Sequence, residues 1–510
     1  MRQFNLIDEA WIPVRKINGE RVELGIRDTL LKAKEVAVIE DPSPLVIASL
    51  HRFLLAVLYR ALAGPTDIDQ AKTWFKSGLP AEKIHAYLER WRDRFWLFDE
   101  QFPFFQIPDF EPNSWRAWTA LAAEHNADNA KVLFDHVDVT NPAAIPPPAA
   151  ARWLLAVQTF ALGGGNSDFR YTKSAPSATA AMALPLGCHL EDTLLLNCVP
   201  QNRTVLVNDL PVWEREPESL TDLKAGIQRA IAGYADRYTW RTRSIRLRRD
   251  GGGISTLAFA SGVENISKDT IDPMLGYRVD EKIGKLPIQF RERGLWRDFD
   301  SLLPDDTKLA PEVIEHATAL TRLDHTRFPR SVMVLGQSNK KNAKIEFWRL
   351  ERFALPEALL GDRCIRIEIR QLLATAEEHR KSLERACKSF ARDLLSRGGR
   401  APDSKNLSGF VKQMPVSAVY WSALEAAFHD VLRRYTANAD PDAIRLVWLK
   451  IVRSTVRDAW QRHAASISTS DAWAIRALVR AEAHVNRQVH TLNEEIQQYE
   501  THRHFQGDAV

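Results

Sequence analysis

Pro441-Asp-Ala-Ile-Arg-Leu-Val-Trp-Leu-Lys-Ile-Val-Arg-Ser-Thr-Val-Arg-Asp-Ala-Trp-Gln-Arg-His-Ala-Ala465 decides the architecture of the last third of the chain. Val447, Ile451, Thr455 and Ala459 recur at the spacing that gathers side chains on one helical face. Similar patterns cover 365–397, 416–436 and 470–497. Long amphipathic helices with short loops make antiparallel neighbours, so a four-helix bundle is predicted over 356–510. A chain of 510 residues is too long for one ordinary core. The pattern changes near 350–356, and residues 1–355 are expected to form a large mixed domain, giving an α+β fold overall.

Working back, Asn18-Gly19 separates two β-like runs, 4–14 and 21–25, and predicts a tight hairpin. Asp41-Pro42-Ser43 starts a helix over 44–62, followed by helices over 67–76 and 81–95. The aromatic runs Phe95-Trp-Leu-Phe98 and Phe102-Pro-Phe-Phe105 read as core. Residues 125–148 form a long loop, polar and then proline-rich, that feeds an apolar helix over 149–162. From 193 to 347 the pattern reads mostly as strands and turns. It includes a β-like run over 241–247 and a hairpin from Val332-Met-Val-Leu335 through Gly336 to Lys344-Ile-Glu-Phe-Trp348.

Composition is that of a soluble globular protein, with 45% hydrophobic and 26% charged residues. No signal-peptide pattern opens the chain, and Arg or His interrupts its longest apolar stretches. A cytoplasmic protein with no membrane partner is expected. Cys188, Cys198, Cys364 and Cys387 form no close pair, which predicts buried thiols rather than disulfides or a zinc site. Thr172-Lys173-Ser174 lacks the glycine of a phosphate-binding loop, and neither GxSxG nor HExxH occurs. His429-Asp430 resembles the doublet of metal-dependent phosphohydrolases but stands alone, as does Asp324-His325. The reading is a protein without catalysis, cofactor or metal. A nuclease using His429 and Asp430, or a purely structural scaffold, is the alternative.

Gly163-Gly164-Gly165-Asn166 lies between the apolar helix and a polar run with Arg170 and Lys173. A helix cap needs one glycine. Three in a row let the main chain approach another molecule. The net charge of +4 is too mild to indicate nucleic acid, so distribution matters more. Arg237, Arg241, Arg243, Arg246, Arg248 and Arg249 cluster around Tyr238 and Trp240.

Four stretches, Asn5-Leu-Ile-Asp-Glu-Ala-Trp-Ile-Pro-Val14, Thr193-Leu-Leu-Leu-Asn197, Tyr238-Thr-Trp-Arg-Thr-Arg-Ser-Ile-Arg-Leu247 and Glu351-Arg-Phe-Ala-Leu-Pro-Glu-Ala-Leu-Leu360, together resemble the CasA family. That family supplies the large subunit of Cascade, the type I-E CRISPR surveillance complex. The resemblance implies a non-enzymatic subunit that recognises the protospacer-adjacent motif in double-stranded DNA from the minor groove and helps open the duplex. The implied partners are CRISPR RNA, other Cascade subunits, target DNA and a helicase–nuclease. Its glycine loop falls on Gly163, Gly164 and Gly165 with Asn166, and its lysine on Lys282 or Lys285. Its wedge hairpin falls on 336–344, where Gln337 is offset from a tip of Ser338, Asn339, Lys340 and Lys341. Its long loop, linked to the guide handle and the motif, falls on Asn129, Lys131, Phe134 and His136. Arg241, Arg243, Arg246, Arg248 and Arg249 would add nonspecific phosphate contacts. The cysteines that bind zinc in some members are absent from this sequence.

Overall fold

The computed structural model describes residues 2–122, 124, 142–267, 271–280, 282, 284–303, 308–321, 327, 331–340, 344–355, 363–436 and 439–507. These divide into two compact units: Met1–Leu295 with Ser301–Phe353, and Trp296–Asp300 with Ala354–Val510.

The first unit is built around the helix Pro44–Leu62. Ser43 caps it by accepting from the Val46 amide, and Pro44 fills its first turn. It is long and apolar enough to cross a membrane, yet 89% of its most apolar window is buried inside the protein. Burial all round makes it a core helix. It packs against the helices Pro147–Phe160 and Tyr234–Tyr238 and the strand Ser331–Lys340. Arg52, on this helix, is buried and bonded to Asp272 at 2.8 Å. Ser177 Oγ donates to the same carboxylate, also at 2.8 Å. Burial alone would raise the Asp272 pKa, but the charges of Arg52 and Arg237 outweigh it and hold that carboxyl below its ordinary value.

The expected first hairpin is present. Ile12–Lys16 pairs with Arg21–Leu24, and Gly19 takes φ +90° in the turn. Val36–Ile39 adds a third strand. Residues before Ile12 do not extend it: Gln3–Asn5 pairs instead with Trp96–Phe98. The aromatic run is core, with Phe95 and Phe104 packed against each other and against Phe53 and Trp213.

The stretch 193–347 is mixed, with strands and turns prominent, as expected, but the reading did not place its short helices, Leu190–Asn197, Arg203–Asn208, Leu220–Ala225, Tyr234–Tyr238 and Glu312–Thr321. Most are about two turns or less, and Leu190–Asn197 is buried on every side, so no amphipathic period marks it. Met182–Leu186, Ser331–Lys340 and Lys344–Ala354 form a three-stranded sheet. Its pairing to Met182–Leu186 runs from Ser331↔Leu186 to Leu335↔Met182.

In the second unit, Arg363–Ser396, Val416–Arg433, Pro441–Ala465 and Ala472–Gly507 are the long helices. The reading omitted a short helix, Ser404–Gln413. Val447 and Ile451 are only half-buried. The buried arc of Pro441–Ala465 instead includes Trp448, Val452, Thr455, Val456 and Ala459, because this helix touches all three other long helices. Trp296 joins this unit, its ring 5.5 Å from Trp421 and 5.3 Å from Phe428. Cys198 and Cys387 are buried, but Cys188 and Cys364 are exposed, which corrects the expectation of four buried thiols. Cys188 lies in the turn before a helix and Cys364 in a first helical turn, outside any packed face.

Burial pushes His51 and His316 down to about 4, with hydrogen bonds to Ile47 O and Leu195 O only partly opposing it. Unfolded imidazoles titrate near about 6.5, so the folded state binds fewer protons below that value. The stabilisation is complete above about pH 6.5 and is lost as pH falls towards about 4. A His316→Gln variant is therefore expected to show a flatter fall in thermal midpoint across this window than the parent.

Candidate nucleic-acid interface

The helix Pro147–Phe160 ends two residues before the glycines, and the chain then turns back on itself. Gly164 N donates to Thr172 O at 3.1 Å, and Thr172 N donates to Gly165 O at 3.1 Å. Thr172 Oγ1 donates to Gly164 O at 2.8 Å, and Gly163 N donates to Ser174 Oγ at 2.8 Å. The glycines thus have internal reasons to be glycine. A Cβ on Gly163 would stand 2.8 Å from Ser174 N, while Gly164 and Gly165 take φ +134° and +80°. What remains for a partner is exposure: Gly164, Gly165 and Asn166 face solvent, and nothing lies within 4 Å of the position a Gly165 Cβ would take. Lys173, in the polar run after the glycines, pairs with Glu264 at 3.4 Å.

Arg243 corrects the sequence reading most instructively. Offered as a phosphate contact, it is 2% exposed. Its Nη2 donates to Leu162 O at 2.6 Å and its Nη1 to Lys173 O at 2.7 Å and Thr242 O at 3.0 Å. Leu162 and Lys173 flank the glycine loop on opposite limbs, so one guanidinium staples both. Burial and the nearby Arg116 charge push its pKa down to about 10. Arg241 is also buried, pushed down to about 10 by burial, and pairs with Glu218. Arg241 precedes the strand Arg243–Asp250, and residues 241–245 are buried without alternation, so neither arginine faces solvent. Trp240 and Tyr238 are interior too.

Arg246, Arg248 and Arg249 lie towards the solvent end of the strand Arg243–Asp250. Arg246 pairs with Glu111 at 2.6 Å, while Arg248 and Arg249 are exposed over Trp115 and Phe98. A bulge between Ile254 and Thr256 on the paired strand breaks the alternation.

Gln337 is a second correction. It is wholly buried, and its Nε2 donates to Phe160 O at 2.7 Å and Ala178 O at 2.8 Å. Those carbonyls bracket the glycine segment, so Gln337 anchors the hairpin stem to the loop and is no free reader. Ser338 is buried, Asn339 half-buried and Lys340 exposed. Lys282 and Lys285 are exposed on the hairpin Tyr277–Asp280/Gly284–Pro287. Just past that hairpin, Ile288 O accepts from Ala181 N at 2.9 Å, beside the same sheet. Lys341, Asn129, Lys131, Phe134 and His136, and the doublet Asp324-His325, lie outside the described residues.

The glycine loop and the hairpin line one cavity of about 480 Å³. Lys344 and Ile345 reach it from the hairpin stem, and Arg116 and Phe259 from the arginine sheet. Sequence reasoning missed Arg116. It sits on a two-residue strand paired to Thr256 and Leu257, a long-range placement with no local pattern to reveal it. As for the nuclease alternative, Asp430 pairs with Arg433 on the bundle surface at 2.9 Å. Among the described residues no three His, Cys, Asp or Glu side chains converge as metal ligands.

The chain matches the family described as CRISPR-associated protein Cse1 over residues 5–459. It is 36% identical over 508 residues to CRISPR-associated protein CasA/Cse1 of Thermus thermophilus, covering 97% of this chain and 99% of that protein. A crystal structure of Thermus thermophilus CasA is similar with a TM-score of 0.85 and 34% identity, over 96% of this chain and 100% of that one. A chain of a structure described as a CRISPR RNA-guided surveillance complex shares the fold, with a TM-score of 0.72 and 19% identity over 95% and 100% of the two chains. A match over most of the length, with a relative this similar end to end, means that the chain belongs to the Cse1, or CasA, family of CRISPR-associated proteins.

Proposed function

We propose that this chain is the large, non-catalytic subunit of a cytoplasmic CRISPR RNA-guided surveillance complex. It reads a short motif in double-stranded DNA from the minor groove, starts duplex opening and presents a docking surface to a helicase–nuclease. Family membership supports the assembly. One observation carries the reading of DNA: bare main chain at Gly164 and Gly165 is exposed at a cavity shared with the hairpin stem. The minor groove offers few donors and acceptors, which suits backbone and one lysine reading a tolerant motif. Lys282 and Lys285 are the lysines on offer. A wedge must meet a few kcal/mol of unstacking per base step, and guide pairing then roughly balances the lost duplex. The protein therefore only has to nucleate the opening.

The test adds atoms at the exposed main chain without disturbing the loop. Asn and Asp tolerate positive φ, and a Cβ at Gly165 meets nothing. With the assembled complex, Gly165→Asn and Gly165→Asp are expected to leave assembly intact and weaken motif-dependent duplex binding about tenfold or more, a loss of ~1.4 kcal/mol, with Asp the worse. Unchanged binding by both variants would sink the loop's role. Separately, the double variant Arg248→Ala/Arg249→Ala is expected to lower the salt slope of duplex binding by about two, roughly one per lost phosphate contact, whether or not the motif is present.

A further inference from the structure

The cavity beneath the glycine loop has a chemistry that reading a groove does not use. Its volume, about 480 Å³, lies in the range of ligand pockets, roughly 300–1,000 Å³. Trp153, Phe160, Tyr171 and Phe259 supply aromatic walls. Arg116 and Arg243 approach the Phe259 ring at 5.5 and 5.8 Å. Among the described residues neither guanidinium has a carboxylate partner, and the buried Arg243 Nε has no hydrogen-bond acceptor, a condition it shares with Arg52 and Arg241. Lys344 adds an exposed ammonium at the rim. Aromatic faces beside uncompensated cations suit a planar group that carries negative charge.

We infer that this cavity receives one unstacked nucleotide, its base between the aromatic walls and its phosphate at Arg116 and Lys344. The inference rests on the proposed function and deepens it: the site would hold a base that duplex opening releases, and so oppose its return to the stack. Extrusion of a base costs a few kcal/mol, and base–aromatic stacking returns about 1–3 kcal/mol. A displaced strand and a free nucleotide share this chemistry.

Two arms of one experiment separate these sources. In the first, motif-bearing duplexes with a single abasic site, moved through the positions beside the motif, are opened by assembled complexes. The complexes carry the parent subunit, Ala161→Leu, which fills the cavity from a half-buried position, or Arg116→Ala at the exposed rim. One abasic position is expected to weaken stable opening about tenfold with the parent and to have no effect with Ala161→Leu, whereas Arg116→Ala, which removes only a phosphate contact, weakens opening of the intact duplex and keeps the abasic loss. An identical abasic profile for the parent and Ala161→Leu, with motif-dependent binding intact, overturns the inference and leaves the proposed function standing. Failure of the parent complex to bind motif-bearing duplex overturns both. In the second arm, deoxyribonucleoside monophosphates are titrated into the full chain. Saturable binding that Ala161→Leu abolishes, together with a flat abasic profile, assigns the cavity to free nucleotides and overturns the strand as its source.

Discussion

Asp272→Ala is expected to destabilise the first unit by about 3–5 kcal/mol, the range seen when one partner of a buried ion pair is removed. Both partners are interior: the Arg52 side chain is 2% exposed and that of Asp272 0%. Alanine would leave the guanidinium without its counter-charge, set over the Tyr238 ring at 4.3 Å. It would also strip acceptors from Ser177 Oγ and from the Met274 amide. Asp272→Asn keeps an acceptor and should lose less. The double variant Arg52→Met/Asp272→Leu removes both charges and should recover most of the loss, because a well-packed apolar pair can match a buried ion pair. Thermal midpoints of the four proteins test this. An Asp272→Ala midpoint equal to the parent's would mean that the pair contributes nothing net.

Arg243→Ala is the second large effect expected. Three carbonyls, at Leu162, Lys173 and Thr242, lose their donor together. An unsatisfied buried acceptor costs about 1–3 kcal/mol, and water entering from the cavity would meet part of the need, which leaves about 3 kcal/mol. Lysine keeps the charge but cannot span two limbs as a planar fork does, so Arg243→Lys should recover only part. Limited proteolysis between 163 and 174 should quicken in both variants, and motif-dependent duplex binding should fall with it. Loop cleavage and binding at parental levels would show that the staple does not position the glycines.

Much of the scaffold was legible because it rests on short-range signals. Asn18-Gly19 sets a turn, Ser43 with Pro44 starts a helix, and the C-terminal helices carry their own period. The site was legible only in outline. Three successive glycines mark a special backbone, but the sequence cannot tell an external reason for glycine from an internal one such as the Gly163–Ser174 approach. The arginines misled for a related reason. Charge is a property of the residue, whereas burial of Arg241 and Arg243 depends on Glu218 and on carbonyls about 70 to 80 residues upstream of Arg243. Gln337 looked like a displaced reader because its partners, Phe160 and Ala178, lie more than 150 residues away.

The bonds of Gln337 have an evolutionary corollary. They tie the near end of the β-ribbon to carbonyls on both sides of the glycine segment. Under the proposed function, residues past 337 could vary in identity or number without loosening that attachment, so a lineage could exchange the prising end under pressure from changing invaders while the gauge it is bolted to stays in calibration.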